Sequence, residues 1–185
     1  MDWRLQAGQQ LVVRGANGVG KTTLLRVLAG LTRADTGEIL LDGSSCPDGL
    51  RGNCCYAGHA PAVHGDLTVV ENLRFWGSLS RGGMQWREAL AAVGLERQAQ
   101  LDVRRLSAGQ RRRAGFARVL MSAARVWLLD EPCTHLDQRG REIVTTALDA
   151  HCRAGGIVVV ASHDPLPAGD RQASELLIGA GMKDG

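Results

Sequence analysis

Short apolar, β-branched runs alternate with helix-forming segments near both ends of the chain. The run QLVVR (10–14) ends at a glycine and predicts a buried strand, and good helix formers without proline follow at 21–30. Near the other end, RVWLLD (125–130) and GIVVVASH (156–163) predict strands on either side of a helix at 137–153. Strands that alternate with helices favour an α/β fold with a mainly parallel sheet.

Three further short segments complete the predicted set of strands. GEILLDG (37–43) lies between glycines, NCCYAG (53–58) is apolar at its centre, and ASELLIG (173–179) predicts the last strand. No internal repeat or low-complexity linker interrupts the pattern. A length of 185 residues then suits a single domain spanning 1–185.

The middle of the chain, about 66–124, has a helical pattern instead. At the start of LTVVENLRFWGSL, Thr68 stands three residues before Glu71, which is the spacing of a capping box. The amphipathic segment MQWREALAAVGL ends at Gly94, which suits a C-cap, and SAGQRRRAGFARVLMSA predicts a third helix. We therefore expect a helical subdomain inserted between the strand–helix units.

Composition and charge exclude several classes of protein. The net charge of +3 is too small for a nucleic-acid footprint, and we interpret the basic cluster RRLSAGQRRR as a solvated helix face. The five cysteines form no C-x-x-C pair and no signal peptide precedes them, which indicates reduced thiols in the cytosol. No apolar run approaches the roughly 20 residues of a membrane-spanning helix, so any action on a membrane would need a partner.

The segment GANGVGKT fits the pattern G-x-x-x-x-G-K-[ST] and lies between a predicted strand and helix. Its glycines let several backbone N–H groups point at one phosphate, and the helix N-terminus adds partial positive charge. Lys21 is one of only two lysines among 22 basic residues, and its compact ammonium suits the β- and γ-phosphates better than a planar guanidinium. The alternative is a glycine-rich turn that matches by accident. The predicted phosphate-binding residues are Gly15, Ala16, Asn17, Gly18, Val19, Gly20, Lys21, Thr22 and Thr23.

The segment VWLLDEP supplies carboxylates for a metal and a water. We expect the strand at 126–129 to lie beside the strand 10–14, with Asp130 at the end where open α/β sheets bind ligands. Asp130 and the hydroxyl of Thr22 suit Mg²⁺, and Glu131 is placed to orient and polarise an attacking water. The alternative is a strand end with two solvated acids.

We call LSAGQ (106–110) the signature segment. The same helix start can be interpreted in two ways, as a structural cap or as an anion site. Ser107 and Gln110 have capping-box spacing, which is a purely structural role. The same helix start presents a hydroxyl and N–H groups to an anion, through Ser107, Ala108, Gly109 and Gln110. Two phosphate-binding elements so far apart in sequence suggest that they face different partners.

Together these motifs resemble those of the ATP-binding-cassette ATPases. GANGVGKT, LSAGQ, WLLDEP, THLD and ASH occur in that family's order and spacing over nearly the whole chain. The resemblance implies a P-loop NTPase with a RecA-like sheet and a helical subdomain, with ATP and Mg²⁺ as cofactors. It also implies a head-to-tail homodimer, in which each ATP lies between the Lys21 loop of one copy and residues 107–109 of the other.

The resemblance assigns roles to single residues as well. It implies Lys21, Glu131 and His163 as the catalytic set, with His163 similar to the histidine that contacts the γ-phosphate. Asp137 is similar to the residue that links the two ATP sites. Without the other motifs, His163 and Asp137 would be interpreted as structural residues.

A narrower likeness concerns YAGHAPAVHGDLTVVENLRFW, LSAGQRRRAGFARV and VWLLDEPCTHLD. These segments are similar to ATPase subunits of the haem exporters used in bacterial cytochrome c maturation. His59 stands where most relatives have a glutamine that senses Mg²⁺, so it is a candidate metal residue. The likeness implies integral membrane partner subunits and a peripheral location on the cytoplasmic face of the bacterial inner membrane. The likeness implies that haem is involved only indirectly, and the lack of a hydrophobic haem-pocket signature around His59 and His64 argues against haem ligation by these residues.

The same likeness bears on two aromatic positions and on the start of the chain. We expect Phe75 and Trp76 to lie in the core. If one of these two side chains is exposed, it would mark a groove for a helix of a membrane subunit. Relatives usually have an earlier strand with an aromatic residue that stacks on adenine. Only 14 residues precede Gly15 and Trp3 lies too near the loop, so we expect a truncated or misassigned N-terminus without that strand. Loss of the stacking would weaken ATP binding about tenfold.

Three functions remain open from the sequence. The first is the ATP-hydrolysing subunit of a transporter, for haem export or for another substrate. The second is a soluble relative in DNA repair or translation, although such chains usually carry long coiled-coil insertions or two cassettes in tandem. The third is a nucleotide-binding module with poor turnover.

Overall fold

The computed structural model describes residues 2–80, 82–163 and 173–179. Within these ranges the strands are β1 (Gln10–Arg14), β2 (Leu40–Leu41), β3 (Ser44–Ser45), β4 (Cys54–Ala57), β5 (Val126–Asp130), β6 (Ile157–Ala161) and β7 (Ser174–Leu177). The helices are α1 (Lys21–Leu28), α2 (Val69–Leu79), α3 (Trp86–Ala92), α4 (Ala108–Leu120) and α5 (Gln138–Arg153), with short 3₁₀ turns at Glu96–Gln98 and Val103–Arg105. As expected, residues 2–9 contain no strand.

The main sheet is parallel throughout, in the order β4-β5-β6-β1-β7. This confirms the predicted α/β class but corrects one expectation, because β5 does not lie beside β1. Instead β6 separates them, with Val159 paired to Leu128 on one side and to Leu11 on the other. Local pattern cannot distinguish these orders, since all three strands are equally apolar. The carboxyl ends of β1, β5 and β6 still meet at one edge, where ligands bind in open sheets.

The segment 37–43 does not form the predicted strand. Only Leu40–Leu41 is extended, and it pairs with Ser44–Ser45 as an antiparallel hairpin outside the main sheet. Asp42 and Gly43 form the connection with φ angles of 52° and 80°, as a two-residue hairpin turn requires. Leu40 is 53% exposed, which explains why this apolar run adds no strand to the core.

Apolar residues cover both faces of the main sheet. Along β5, Val126 and Leu128 contribute to one core cluster, while Trp127 and Leu129 contribute to the other. Successive side chains of a strand point to opposite faces, so a strand buried on both sides is apolar at every position. This explains the continuous apolar runs in the sequence. One cluster includes residues of α1, and the other includes residues of α2, α3, α4 and α5.

The helices between β4 and β5 begin and end close to the predicted signals. Thr68 Oγ1 accepts from the Glu71 N–H at 3.2 Å and Glu71 Oε2 accepts from the Thr68 N–H at 2.8 Å, which confirms the capping box. Gly94 follows α3 with a φ of 63°. The division of the chain into one domain with a helical subdomain at about 66–124 stays a prediction.

The predicted core positions on α2 are wrong in one case. Val69 and Leu73 are buried, but Phe75 lies on another face of the helix and is 54% exposed. Trp76 is half-buried, and its Nε1–H donates to the Ala62 carbonyl at 2.8 Å. Within the described ranges, no helix is both long and apolar enough to cross a lipid bilayer.

Candidate nucleotide site

The loop between β1 and α1, residues 15–20, curls around the side chain of Lys21. Lys21 Nζ donates to the carbonyls of Gly15 at 2.8 Å and Ala16 at 3.0 Å, and the residue is buried. A Cβ atom on Gly15 would lie 2.7 Å from the Ile178 carbonyl oxygen, so only glycine fits there. Gly20 is the N-cap of α1 and has a φ of 105°. Because Gly20 has no side chain, it cannot cap the first N–H groups of α1.

Thr22 and Asp130 come together although 108 positions separate them in the sequence. The Thr22 hydroxyl donates to Asp130 Oδ2 at 2.8 Å, which joins the start of α1 to the end of β5. Asp130 is only 3% exposed. A hydroxyl and a carboxylate are the hard oxygen ligands that Mg²⁺ prefers, so this pair fits that ion. Among the described residues, no three His, Cys, Asp or Glu side chains form a metal-holding group.

Glu131 is oriented by the chain that follows β6. Its Oε1 accepts from the His163 N–H at 3.1 Å and lies 2.8 Å from His163 Nδ1, so the Nδ1–H tautomer donates to the carboxylate. The Glu131 side chain is 15% exposed and that of His163 is 52% exposed. Glu131 has a φ of 51°, a left-handed conformation that costs energy in any residue except glycine.

The signature segment begins α4. Ser107 Oγ accepts from the Gln110 N–H at 3.2 Å, and Gln110 Oε1 accepts from the Ser107 N–H at 2.9 Å, so the capping box is present. Ser107 and Ala108 are exposed, and Gly109 and Gln110 are half-buried. No hydrogen bond described for residues 2–80, 82–163 and 173–179 joins Ser107 to the Lys21 loop.

The other candidate residues lie at the edges of the site. His59 follows β4 at the carboxyl edge of the sheet and its side chain is exposed. His64 is held through its backbone by Asn72, which the sequence analysis missed. Asp137 is the N-cap of α5 and accepts from the Gly140 N–H at 2.8 Å, which is the structural role that the sequence left open. Trp3 is half-buried against the core that includes residues of α1.

Arg112, on α4, is the largest omission of the sequence analysis. Its side chain donates to five main-chain carbonyls on two loops. The measured lengths are 2.9 Å to Asp130, 3.4 Å to Pro132 and 3.4 Å to Gly58, and the other two acceptors are His59 and Glu131. Burial lowers the pKa of the Arg112 guanidinium, and the nearby charges of Asp130 and Glu131 oppose that shift.

The prediction of a solvated face is therefore wrong for residues 111–113. All three arginines are half-buried and donate to carbonyls, Arg111 to Leu106 and Arg113 to Val93 and Gly94. The signal that could have shown this is the absence of any acidic residue in α4, AGQRRRAGFARVL. Arginines without an acidic neighbour one turn away must find other acceptors if they are buried.

A comparison with protein families matches residues 1–134 to the family described as ABC transporter. The chain belongs to the ABC transporter family. Proteins of this family bind ATP, and the Lys21 loop and the Asp130–Glu131 carboxylates both lie in the matched range. The sequence-based resemblance to this family is confirmed.

Curated relatives in the ABC transporter family cover most of the chain. The "Cytochrome c biogenesis ATP-binding export protein CcmA" of Xanthomonas campestris pv. campestris (strain 8004) is 46% identical over 166 residues, which is 88% of this chain and 78% of that protein. The protein of the same name from Escherichia coli (strain K12) is 41% identical over 171 residues, 90% of this chain and 81% of its own.

Solved structures of ABC cassettes share the fold. The post-hydrolysis dimer of the ATP-binding cassette MJ0796 bound to ADP and Pi has a TM-score of 0.75 at 25% identity, covering 88% of this chain and 78% of that one. A putative ABC transporter ATP-binding protein from Pyrococcus furiosus has a TM-score of 0.78 at 22% identity, covering 94% and 86%. These likenesses confirm the predicted fold class.

Proposed function

We propose that this chain is the ATP-hydrolysing subunit of an export system that serves cytochrome c biogenesis. ATP hydrolysis is proposed because three groups lie at one edge of the sheet: Lys21, the Thr22–Asp130 pair and Glu131. The names of the curated relatives support the role in export and in cytochrome c biogenesis. Haem export rests on the likeness of three segments to haem-exporter ATPases, and contact with haem itself belongs to other subunits.

The chain binds the triphosphate through the phosphate loop. Lys21 Nζ exchanges the carbonyls of Gly15 and Ala16 for oxygens of the β- and γ-phosphates, while backbone N–H groups of residues 16–23 surround the same oxygens. Thr22 and Asp130 would hold Mg²⁺, which would offset charge on the phosphate oxygens. The low exposure of Asp130 keeps its charge effective, because water screens a buried carboxylate only weakly.

Glu131 supports the hydrolytic step. Its carboxylate orients a water and accepts one of the water's protons as the water oxygen attacks the γ-phosphorus in line. The bond from the γ-phosphorus to the bridging oxygen breaks, giving ADP and inorganic phosphate. His163 fixes Oε1 of the carboxylate through its ring and its backbone N–H. The other carboxylate oxygen is then left for the water.

A second copy completes each site. Ser107 and Ala108 are exposed at the start of α4, where a serine hydroxyl and the partial positive charge of a helix N-terminus attract a phosphate. In a head-to-tail pair, this helix start faces the ATP on the partner's Lys21 loop. The dimeric form of MJ0796 supports this arrangement. His59 stays a candidate for sensing the metal from the loop after β4.

An exposed apolar face supports attachment to integral membrane subunits at the cytoplasmic face of the inner membrane. Phe75 is 54% exposed and Leu79 is 61% exposed, and their spacing of four places them on one side of α2. Two exposed apolar side chains one turn apart suit contact with the apolar face of a partner's helix.

The lengths of the helices between β4 and β5 argue against the alternative function as a soluble relative in DNA repair or translation. Between β4 and β5, the helices α2, α3 and α4 have 11, 7 and 13 residues. Coiled-coil arms need a heptad pattern sustained over several repeats, which these lengths do not allow.

The substitution Glu131→Gln tests the proposal. It preserves the size and the hydrogen bond to His163 but removes the proton acceptor, so turnover of ATP should fall by about 10²-fold or more. ATP binding should persist and an ATP-dependent dimer should accumulate, measured by phosphate release and by light scattering after gel filtration. Glu142→Gln, an exposed position on α5, is the matched control and should retain turnover. Wild-type turnover in the Glu131 variant would contradict the proposed function.

A further inference from the structure

Arg112 is unusual in its choice of partners. All of its described hydrogen bonds go to main-chain carbonyls, and all three guanidinium nitrogens take part. Partners of this kind fix the path of the backbone, whereas a carboxylate partner would fix only a side chain. The guanidinium is planar and rigid, so the two loops that it joins are held at one separation.

One of the two loops carries Glu131 in a strained conformation. A φ of 51° places Glu131 in the left-handed region, and such residues persist where the surroundings determine the backbone. The Glu131 N–H donates to the Ala161 carbonyl at 2.9 Å, which fixes the residue on the β6 side. The Glu131 carbonyl accepts from Arg112 and, at 3.3 Å, from the Thr134 N–H. Arg112 therefore supplies the one side-chain contact described for the Glu131 backbone.

The second loop is the one that follows β4 and carries His59. Arg112 donates to its carbonyls at Gly58 and His59. Two further contacts join α4 to this region: Pro61 of the loop packs on Gly115, where an added Cβ would lie 2.9 Å from the proline ring, and Arg118 donates to the carbonyl of Tyr56 in β4 at 2.7 Å. Helix α4, the loop after β4 and the Glu131 turn are thus joined around one guanidinium.

We infer that Arg112 is a positioning residue for hydrolysis, which holds the Glu131 turn in its strained conformation and ties that turn to α4. The inference rests on the proposed function and names a residue through which it operates. Because Ser107 is the N-cap of α4, Arg112 also connects the helix that faces one ATP to the carboxylate that serves the other.

The test compares Arg112→Ala and Arg112→Lys with Arg113→Ala in the full chain. Arg113 is the matched control because it is also half-buried on α4 and donates to the carbonyls of Val93 and Gly94, on the turn after α3. Steady-state phosphate release gives kcat and KM for ATP, and thermal melting with and without ATP reports folding and binding.

For Arg112→Ala we expect kcat to fall by about tenfold to 10²-fold, as for a catalytic group misplaced by a fraction of an ångström. KM should stay within about threefold, because the phosphate loop is unchanged. Arg112→Lys should give an intermediate kcat, since an ammonium keeps the charge but cannot reach both loops in a plane. Arg113→Ala should melt at a lower temperature and retain the wild-type kcat.

An Arg112→Ala protein with wild-type kcat, or with a loss equal to that of Arg113→Ala, would overturn the inference. If Arg112→Ala does not fold, Arg112→Lys decides, and a wild-type kcat in that variant would overturn it as well. The Glu131→Gln variant separates the two claims. Full turnover in Glu131→Gln removes the proposed function, whereas an inactive Glu131→Gln beside a fully active Arg112→Ala removes only this inference.

Discussion

Glu131 and Lys21 hold opposite charges at the same edge of the sheet, and each is fixed by backbone groups. Lys21 donates to two carbonyls of its own loop, while Glu131 accepts from the N–H of His163. Backbone groups hold the ends of both side chains, and the His163 ring adds a side-chain contact to Glu131. At the residue scale, Glu131 is therefore held in place before a nucleotide arrives, which we expect to lower the cost of reaching the proposed transition state, whereas Lys21 must first release its two carbonyls.

His151 gives a prediction on pH at the residue scale. Its ring stacks on Trp127 with centroids 3.9 Å apart, and Nε2 lies 3.1 Å from the Arg125 carbonyl. Burial lowers the pKa of His151 below its ordinary 6.5, and the hydrogen bond to Arg125 opposes this in part. The fold therefore favours neutral His151. Its contribution to stability is complete above about pH 6.5 and is lost as the pH falls from there through the folded-state pKa.

We expect His151→Gln to flatten the pH dependence of the melting temperature between about pH 7.5 and 5.5. The wild-type melting temperature should fall more steeply across that window, because unfolding takes up a proton at this residue. His64→Gln, at an exposed position, is the control and should keep the wild-type slope. If the melting temperatures of His151→Gln and wild type fall equally steeply with pH, another group causes the loss of stability at low pH.

The motifs in the sequence predicted which residues carry the candidate chemistry, but they did not predict every contact that holds those residues in place. Lys21, Thr22, Asp130 and Glu131 were predicted because their motifs specify both the side chain and its place at the end of a strand. Arg112 was missed because its partners are main-chain carbonyls, which no residue type marks, and the one indirect signal is the absence of an acidic residue in α4. Its neighbours in a run of arginines looked like an exposed basic face.

At the element scale, the loop between β4 and α2 is held by a buried amide. Asn72 is 3% exposed, and its Oδ1 accepts from the His64 N–H at 2.7 Å. Its Nδ2 donates to the carbonyls of His64 and Thr68, both at 3.0 Å. The start of α2 and the loop that carries His59 are thereby joined.

Replacing Asn72 by Leu should lower the free energy of unfolding by about 1–3 kcal/mol, because the backbone N–H and carbonyl of His64 lose their partner. Urea denaturation followed by tryptophan fluorescence measures the change. Gln100→Leu, at an exposed position, is the control and should stay within about 0.5 kcal/mol of wild type. A similarly small change at Asn72 would show that the loop does not depend on this amide.

Elements with a local signal were predicted well, and pairings between distant elements were not. The starts of α2 and α4 followed from Thr68 with Glu71 and from Ser107 with Gln110, since a capping box lies within four residues. The position of β6 between β5 and β1 depends on how α5 crosses the sheet. The Asp42–Gly43 pair was a hairpin signal inside the segment predicted as one strand.

For the whole molecule, the exposed side chains of Phe75 and Leu79 on α2 give a prediction about attachment to the proposed membrane subunits. Replacing Phe75 and Leu79 together by Asp should abolish co-purification with the membrane subunits, because charge would be placed in an apolar contact. ATP binding should be unchanged, since neither residue touches the nucleotide site. Leu31→Asp, at a position 55% exposed after α1, is the control and should co-purify normally. Retained co-purification of the double variant would move the docking surface elsewhere.

The account as a whole depends on two copies sharing each ATP. The most direct measurement is a structure of the Glu131→Gln protein with ATP and Mg²⁺, in which the distance from Ser107 Oγ to the nearest γ-phosphate oxygen is read. The account predicts a hydrogen bond of about 2.5–3.0 Å to the ATP held by the partner's Lys21. A nucleotide-bound dimer in which Ser107 points away from every triphosphate would contradict it.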